Sequence, residues 1–203
     1  MPRIQRAKLL IFGARGRLGA ALAREYSRAH DVVACGRGDV DLAFPEQVAS
    51  FVRSAAPDFV INCAAATNVD TCEVERGMAE TVNSHAPAAI ARACVRCGAK
   101  MIHISTDYVF SGLARRPYCE TDAAEPMSWY GETKRRGETG VLEASEHHAV
   151  VRVAWVFGPD RECFIDQALK LALRGEPVRA VADKLSSPTY TLDAAAALAA
   201  LID

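Results

Sequence analysis

The sequence predicts an α/β protein in which a parallel β-sheet is covered by helices on both faces. Three observations favour this class: short apolar runs alternate with segments of helical spacing, a glycine-rich turn follows the first apolar run, and small or polar residues close the later runs. Strands that are joined through helices run parallel with right-handed crossovers. The pattern therefore indicates a doubly wound sheet of the Rossmann type.

The length and charge of the chain limit its organisation and its partners. With 203 residues it is long enough for one well-buried domain and short for two, so we expect a single domain over residues 1–203. The formal net charge is -1 and 50% of the residues are hydrophobic, which argues against disorder and against a broad surface for nucleic acid.

The sequence indicates a cytoplasmic protein. No apolar run approaches the length of a membrane span, and the first one, residues 9–12, is too short for the core of a signal peptide. Without such a run we expect no membrane partner. The seven cysteines are an odd number without the spacing of a disulfide framework, so we expect reduced thiols.

The cysteine and histidine spacings do not predict a metal site. Cys94 and Cys97 form the only C-x-x-C pair, and this pair falls in a predicted helix without further ligands nearby. The five histidines lack zinc-binding spacing, and the adjacent His147 and His148 are interpreted as part of a solvated turn before a strand. We therefore expect no metal.

The first predicted unit is a strand, a glycine-rich turn and a helix. The strand covers residues 9–12, the turn contains Gly13, Gly16 and Gly19, and the alanine-rich helix extends to about residue 29. Glycines let the backbone approach a pyrophosphate, and the N-terminus of a helix attracts its charge. The spacing G-x-x-G-x-x-G differs from G-x-G-x-x-G, but its place after the first strand favours a dinucleotide site over a plain tight turn.

The end of the second predicted strand, residues 31–35, suggests which cofactor is bound. An acidic residue at this point holds the ribose 2'-hydroxyl of NAD, whereas an arginine accommodates a 2'-phosphate. No acid stands directly at the strand end, and Gly36 and Arg37 follow it. We predict a preference for NADP(H), with NAD(H) possible, Arg37 as the phosphate contact and Arg15 as a helper. The alternative is that both arginines are ordinary surface residues.

The middle of the chain continues the alternation. A helix is predicted from Pro45, and a third strand over residues 58–63 is followed by small residues that leave room for a flat ligand, although a plain tight loop would look the same. These small residues are Ala64, Ala65, Ala66 and Thr67. Helical segments near 72–83 and over 87–97 lead to a fourth strand that ends at Thr106.

The last third of the chain is predicted as a loop and three further units. Residues 113–127 contain Pro117 and Pro126 and form a loop over the site, and the next helix starts near Ser128. The glycines of that helix suggest close packing against a neighbour. A fifth strand is predicted over 149–157, a helix over 163–173, a short strand over 178–181 and a final helix over 191–202.

Two segments are candidates for proton transfer at one strand end. Thr106 closes the fourth strand, while Tyr130 and Lys134 lie four residues apart and share a helix face. An ammonium beside a phenol favours the phenolate, so Lys134 is expected to lower the pKa of Tyr130. A phenol of lowered pKa can serve as an acid or a base, with Thr106 orienting the substrate oxygen or the phenol. The Tyr-x-x-x-Lys spacing alone is weak evidence for a catalytic pair, since two residues on a helix surface can have the same spacing.

These motifs together resemble the extended short-chain dehydrogenase/reductase family and, within it, the dTDP-4-dehydrorhamnose reductase group. The resemblance covers nearly the whole chain, and Ser-Thr-Asp-Tyr-Val-Phe at 105–110 is its most discriminating mark. The other marks are residues 13–19, 39–42, 62–70, 130–134, 153–158 and 187–190.

The resemblance implies reduction of the 4-keto group of a dTDP-linked 6-deoxysugar by hydride from NAD(P)H. It implies that Tyr130 gives the proton, that Lys134 binds the nicotinamide ribose and that Thr106 orients the carbonyl. The implied cofactor contacts also include Gly16, Arg17, Leu18, Asp41, Leu42, Ala65, Ala66 and Thr67. Thr106, Asp107 and Trp155 would touch the sugar nucleotide. Family members continue beyond the end of this chain, so the resemblance implies that the C-terminal substrate lobe is largely absent.

Two alternatives stay open at this stage. One is a dinucleotide-binding regulatory protein, similar to the beta subunit of methionine adenosyltransferase, in which Tyr130 and Lys134 are inherited but idle. The other keeps an enzyme but changes the reaction to nucleotide-sugar epimerisation or dehydration, for which Asp107 and Glu132 could serve as acid and base. A homodimer is possible, but the helix faces that would form it cannot be distinguished from those that cover the sheet.

Overall fold

We describe a computed structural model of the chain, which covers residues 6–183 and 185–202. Its centre is a five-stranded parallel sheet in the order β2-β1-β3-β4-β5. The strands are β1 (Lys8–Phe12), β2 (Asp31–Cys35), β3 (Phe59–Asn62), β4 (Lys100–Thr106) and β5 (Ala149–Val153). The order reverses at β1, so a crevice opens between β1 and β3 at the carboxyl ends of the strands. The predicted doubly wound sheet is confirmed.

The helices cover the sheet as two layers. The helices of the described residues are α1 (Arg17–Tyr26), α2 (Pro45–Ala55), α3 (Val69–Val74), α4 (Arg76–Glu80), α5 (Ala86–Cys97), α6 (Trp129–Leu142), α7 (Phe164–Leu173) and α8 (Thr191–Ala199). Of these, α7 buries none of its residues and belongs to neither layer. The final helix, predicted to extend to residue 202, ends at Ala199, and the first helix, predicted to extend to about residue 29, ends at Tyr26. No helix in the described ranges is long and apolar enough to cross a membrane.

Alternation along the strands divides the core between the two layers. Leu10 and Phe12 pack with α2 and α5 on one face, whereas Leu9 and Ile11 pack with α1 and α8 on the other. Successive side chains of a strand point to opposite faces of the sheet, and here both faces are buried under helices. Strands of this kind read as continuous apolar runs, which is why the sequence predicted them.

The predicted helical segment near residues 72–83 is divided into three parts. The short helices α3 and α4 are followed by a π-helical turn, Thr81–His85, which continues directly into α5. The π-turn brings Asn83 into the core, fully buried, where its side chain bonds to the loop after β3. Helical spacing alone does not show such an inserted residue.

The predicted fifth strand over 149–157 is wrong in its second half. The strand ends at Val153, and the backbone turns at Trp155, whose φ is 40°. The chain then forms β6 (Val156–Phe157), which pairs in parallel with β7 (Thr189–Tyr190) as a separate small sheet.

The short strand predicted over 178–181 is also wrong. Residues 176–181 have no regular structure, and the strand of this region is β7 instead. The first five residues and residue 203 of the predicted domain lie outside the described ranges, as does residue 184.

Candidate active site

A cleft of about 830 Å³ opens at the carboxyl ends of the strands. It receives residues from the loops after β1, β2 and β3, from the end of β4 and from the segment after β5. Fifteen of the predicted site residues line it: Gly13, Gly16, Arg17, Leu18, Arg37, Asp41, Leu42, Ala64, Ala65, Thr67, Thr106, Asp107, Tyr130, Lys134 and Trp155. Two predicted cofactor contacts, Gly19 and Ala66, do not line it.

The glycine turn after β1 lies directly against the loop after β3. Gly13 has a φ of 73°, and a Cβ there would stand 2.7 Å from the backbone nitrogen of Ala64, so this position requires glycine. Gly16 is the N-cap of α1, and its N–H donates to the carbonyl of Gly13 at 2.8 Å. Gly19 is buried on α1 beneath the turn. The first N–H groups of α1 are thus presented to the cleft, as an anion site requires.

An acidic side chain does reach the end of β2, contrary to the sequence prediction. The Asp39 carboxylate accepts a hydrogen bond from the Gly36 N–H at 2.8 Å and lies 3.7 Å from the Arg15 guanidinium. The Asp39 carboxylate is thus bound to two groups of its own surroundings, the Gly36 N–H and the Arg15 guanidinium. Arg37, which forms no ion pair within the described part of the chain, lines the cleft beside it. The turn therefore presents positive charge at this end.

The small residues after β3 divide between the cleft and the interior. Ala64, Ala65 and Thr67 line the cleft. The Ala66 N–H donates to Oδ1 of Asn83 at 2.8 Å, and Nδ2 of Asn83 donates back to the Ala66 carbonyl at 3.0 Å. Ala66 is thus bound from behind by the π-turn, which fixes the course of this loop.

The helix α6 carries Tyr130 to the end of β4. Ser128 caps it by accepting from the Gly131 N–H at 3.1 Å, as predicted. A Cβ on Gly131 would lie 2.2 Å from the carbonyl oxygen of Tyr108, so the helix start rests on the backbone that follows Thr106. This contact brings the Tyr130 phenol within hydrogen-bonding reach of the Thr106 hydroxyl.

The environment of Tyr130 keeps its phenol protonated. Burial raises the pKa of Tyr130 to about 12, while the neighbouring Thr106 hydroxyl acts in the opposite direction. The Thr106 hydroxyl donates to the Asp107 carboxylate at 3.1 Å, and that nearby negative charge raises the tyrosine pKa further. The expectation that Lys134 lowers this pKa is wrong for the arrangement in this structure.

Lys134 is directed into the core behind the cleft. It is 1% exposed, and its Nζ lies 2.7 Å from the Ile104 carbonyl oxygen and 3.2 Å from Nε2 of His103. Burial lowers the pKa of Lys134 to about 8, against a smaller opposing influence from Glu138. The charged form of Lys134 is energetically unfavourable here, because a buried charge needs a charged partner to compensate its desolvation.

Asp107 and Trp155, the residues expected at the sugar nucleotide, both line the cleft and follow the neighbouring strands β4 and β5. Asp107 opens a 3-10 turn after β4, and Trp155 follows β5. The Trp155 side chain is 56% exposed, and its ring stacks on Phe164 with the centroids 6.4 Å apart. An exposed indole at the mouth offers a flat apolar surface to a ligand.

Sequence reasoning missed the segment that follows β6. Arg161 and Glu162 line the cleft, the Arg161 guanidinium donates to the carbonyl of Arg15 at 3.1 Å, and Arg17 donates to the carbonyl of Glu162 at 2.8 Å. These bonds span more than 140 positions in sequence, and no local pattern predicts them. In contrast, the predicted loop over the site contributes none of its residues to the lining of the described cleft.

The histidines also differ from expectation. His147 is exposed, but His148 is buried, accepting from the Met101 N–H at Nδ1 and donating to the Ala91 carbonyl at Nε2, so the solvated-turn interpretation is wrong for it. Within residues 6–183 and 185–202, no group of three or more His, Cys, Asp or Glu side chains could hold a metal ion.

The site thus combines the parts that hydride transfer to a carbonyl needs from a protein. An anion-attracting helix start, positive side chains and a protonated phenol beside a hydroxyl all line one cleft. Such a cleft can hold an extended dinucleotide and give a proton to a nascent alkoxide.

Comparisons with known proteins agree with this architecture. Residues 7–203 match the family described as RmlD substrate binding domain. The chain is 41% identical over 202 residues to the dTDP-4-dehydrorhamnose reductase of Mycobacterium tuberculosis, covering 97% of this chain and 66% of that protein. It is 38% identical over 192 residues to the spore coat polysaccharide biosynthesis protein SpsK of Bacillus subtilis, covering 94% of this chain and 68% of that protein.

Solved structures give the same result. The dTDP-4-dehydrorhamnose reductase of Bacillus anthracis in complex with NADP is 33% identical, with a TM-score of 0.92 over 98% of this chain and 71% of that one. The corresponding enzyme of Clostridium acetobutylicum is 35% identical, with a TM-score of 0.91 over 97% of this chain and 70% of that one.

The chain spans 61% to 68% of the length of the first three curated relatives. Its own match to the family is nearly complete, because only the first six residues fall outside it. The glycine turn, the Thr106 strand end and the Tyr130 helix are arranged on the fold that these relatives share. The chain belongs to the RmlD substrate binding domain family, within the extended short-chain dehydrogenases/reductases.

Proposed function

We propose that the chain is the dinucleotide-binding part of an NADPH-dependent reductase that reduces the 4-keto group of dTDP-4-dehydrorhamnose. The observation that carries the proposal is the position of Tyr130, beside Thr106, in the same cleft as the glycine turn. The substrate is inferred from the names of relatives at 36% to 41% identity. Residues 1–203 act in this proposal as one domain, with the greater part of the sugar-binding lobe supplied from outside them.

The proposed cofactor runs along the cleft from Arg37 to Tyr130. The pyrophosphate lies at the start of α1, against Gly13, Gly16, Arg17 and Leu18, and the adenine lies near Asp41 and Leu42. Ala64, Ala65 and Thr67 support the middle of the dinucleotide. Gly19 and Ala66 act from behind this surface, since neither lines the cleft.

NADP(H) is the proposed cofactor because the charge at the end of β2 favours a phosphate. Asp39, the acid that reaches this point, is already bound to the Gly36 N–H and to Arg15. Arg37 is then the candidate partner for a 2'-phosphate. The NADP complex of the relative from Bacillus anthracis supports this choice.

The chemistry follows from the protonation state of the phenol. The nicotinamide would supply the hydride to the carbonyl carbon. Tyr130, whose pKa is about 12, is protonated at neutral pH and can give its proton to the carbonyl oxygen as negative charge develops there. Thr106 orients that oxygen by hydrogen bonding, and Lys134 contributes to binding the nicotinamide ribose. Asp107 and Trp155 contact the sugar nucleotide at the mouth of the cleft.

The proposal is tested by measuring NADPH binding and then NADPH oxidation with dTDP-4-dehydro-6-deoxy-L-mannose. Binding is followed by cofactor fluorescence and oxidation by the fall in NADPH absorbance. We expect Tyr130→Phe to bind NADPH normally but to lose at least about a hundredfold in rate, as removal of a general acid does. Tyr118→Phe is the control, because Tyr118 lies outside the cleft lining, and we expect it to react at the parent rate.

The possible results separate the proposal from its alternatives. Absence of NADPH binding would reject the cofactor assignment. Binding without oxidation, in this chain and in one extended to the length of its relatives, would reject the reductase and favour a regulatory protein. A product changed at another sugar carbon would indicate epimerisation or dehydration. A cytoplasmic location and a homodimer stay predictions from the sequence.

A further inference from the structure

A chain of buried polar groups lies behind the cleft and ends at Lys134. Asn62, His103 and Lys134 are each 0% to 1% exposed, on β3, β4 and α6 respectively. The Asn62 amide nitrogen lies 3.2 Å from Nδ1 of His103, and Nε2 of the same ring lies 3.2 Å from the Lys134 Nζ. The proposed mechanism uses only the last member, so the first two have no role in it.

The direction of the hydrogen bonds is fixed at the Asn62 end. The Ala64 N–H donates to Oδ1 of Asn62 at 3.1 Å, and a backbone N–H can only donate. The amide oxygen therefore faces Ala64, and the amide NH2 faces His103. Because that NH2 donates, Nδ1 of His103 must accept, and a neutral imidazole then carries its proton on Nε2.

The tautomer of His103 determines what Lys134 can be. An Nε2–H directed at Nζ requires a lone pair on Nζ, which an ammonium does not have. An uncharged amine satisfies both contacts, since it accepts from Nε2–H and donates to the Ile104 carbonyl at 2.7 Å. A doubly protonated ring would oppose the Asn62 amide, and burial holds the pKa of His103 well below its usual value.

The surroundings of Nζ contain few compensating charges. Glu138, on the same helix, is bound by two hydrogen bonds to Arg152 of β5, at 2.9 and 2.6 Å. The Cys63 thiol, after β3, is half-buried, and desolvation raises its pKa to about 12, so it is neutral. Among the described residues, the titratable groups that contact Lys134 or act on its charge are Cys63, His103 and Glu138. Arg152 is bound to Glu138, and Tyr130 precedes Lys134 by about one turn of α6.

We infer that His103, oriented by Asn62, is a positioning residue that holds Lys134 as an uncharged amine in the core. Gain of a proton by Nζ breaks its bond with Nε2–H and releases the ammonium toward the cleft, where the ribose of a dinucleotide and Tyr130 lie. The lysine thus has two positions, selected by one proton. The release step rests on the proposed function, because it requires a cofactor in the cleft, whereas the tautomer of His103 does not.

Nitrogen NMR of protein labelled at histidine and lysine tests the inference without a ligand. We expect His103 in the Nε2–H form at every pH, and we expect its Nε2 signal to change with the same midpoint as Lys134, near the pKa of about 8. His148 is an internal reference, because both of its ring nitrogens bond to backbone groups, which fix it in the Nε2–H form. Loss of the signal in His103→Gln assigns it.

Two spectroscopic results would overturn the inference. One is a His103 ring protonated on Nδ1, and the other is an Nε2 signal that does not follow the titration of Lys134. Asn62→Asp provides a second test, because a carboxylate would accept from Nδ1–H, reverse the tautomer and raise the Lys134 midpoint above that of the parent. The unsubstituted protein decides the question even if this variant does not fold.

Proton uptake on NADPH binding tests the release step. At about pH 8.5, calorimetry in buffers of different ionisation enthalpy should show uptake of more than about half a proton per cofactor, because a largely neutral Lys134 becomes charged. His103→Gln, which can accept from an ammonium, should lose most of this uptake, and His148→Gln should keep it. Equal uptake in all three proteins would refute the release step. If NADPH does not bind at all, the proposed function fails, while the spectra still decide the role of His103.

Discussion

Replacement of Lys134 by methionine should change how the stability of the fold depends on pH. The pKa of Lys134 is lowered by burial from its usual 10.5 to about 8, so between these values the unfolded chain binds more protons than the folded one. The free energy of unfolding of the parent protein must therefore rise with pH over this interval. Lys134→Met removes this contribution.

The size of the effect follows from the shift in pKa. One pKa unit corresponds to about 1.4 kcal/mol, so a protonated Lys134 costs the folded state about 3.4 kcal/mol at neutral pH. By about pH 10 the cost falls to roughly 1 kcal/mol. Relative to the methionine variant, the parent should thus gain roughly 2.5 kcal/mol from about pH 7 to about pH 10.

Urea unfolding of both proteins at a series of pH values measures this difference. The difference at any single pH also contains the hydrogen bonds to His103 and Ile104, so only its change with pH is the test. Lys170→Met is the control, because the Lys170 side chain is 58% exposed, and its difference from the parent should stay constant over this pH interval. A constant difference between Lys134→Met and the parent would refute a lowered pKa at Lys134.

Three further predictions concern the cofactor, the catalytic helix and the buried ion pair. Arg37→Ala should weaken NADPH binding about tenfold and leave NADH binding unchanged by fluorescence titration, since it removes one charge-assisted hydrogen bond; equal effects on both cofactors would contradict the assignment. Gly131→Ala should destabilise the fold by about 1–3 kcal/mol in urea unfolding, because its Cβ would meet a carbonyl oxygen at 2.2 Å, whereas Gly77→Ala, with open space around it, should not destabilise. Arg152→Met should cost about 3 kcal/mol by leaving the Glu138 carboxylate, 4% exposed, without its partner, and adding Glu138→Gln should restore part of the loss; no restoration would show that the charge is not the cause.

The sequence predicted the central sheet because its strands have an unusual signature. Runs such as residues 9–12 are apolar on both faces, and only strands covered by helices on two sides need this. The crevice could be placed for the same reason, since the carboxyl ends of parallel strands lie at one edge. Strand ends are local features, so residues such as Gly13 and Thr106 could be found from their position after an apolar run.

Features that depend on backbone conformation could not be predicted in this way. Trp155 continues a β-branched, apolar run and reads as strand, but its φ of 40° ends β5 and starts a second sheet. The position of the Asp39 carboxylate at the end of β2 could not be predicted, because Asp39 reaches this point through a turn, four residues after Cys35. His103 lies inside an apolar run, and only the neighbouring strand and α6 show that both ring nitrogens are bonded.

The glycines of α6 show how the sequence can favour position over helical stability. Glycine lowers helix propensity by about 1 kcal/mol relative to alanine, so a helix with three of them should be a poor one. Yet a Cβ on Gly131 would lie 2.2 Å from the carbonyl of Tyr108, and one on Gly137 would lie 2.2 Å from the carbonyl of Asn83. The helix is therefore held between the turn after β4 and the π-turn before α5, backbone against backbone. Backbone groups have no rotamers, so this contact fixes Tyr130 relative to Thr106 more closely than side-chain packing would, and the propensity lost in α6 is offset by the precision gained at the phenol.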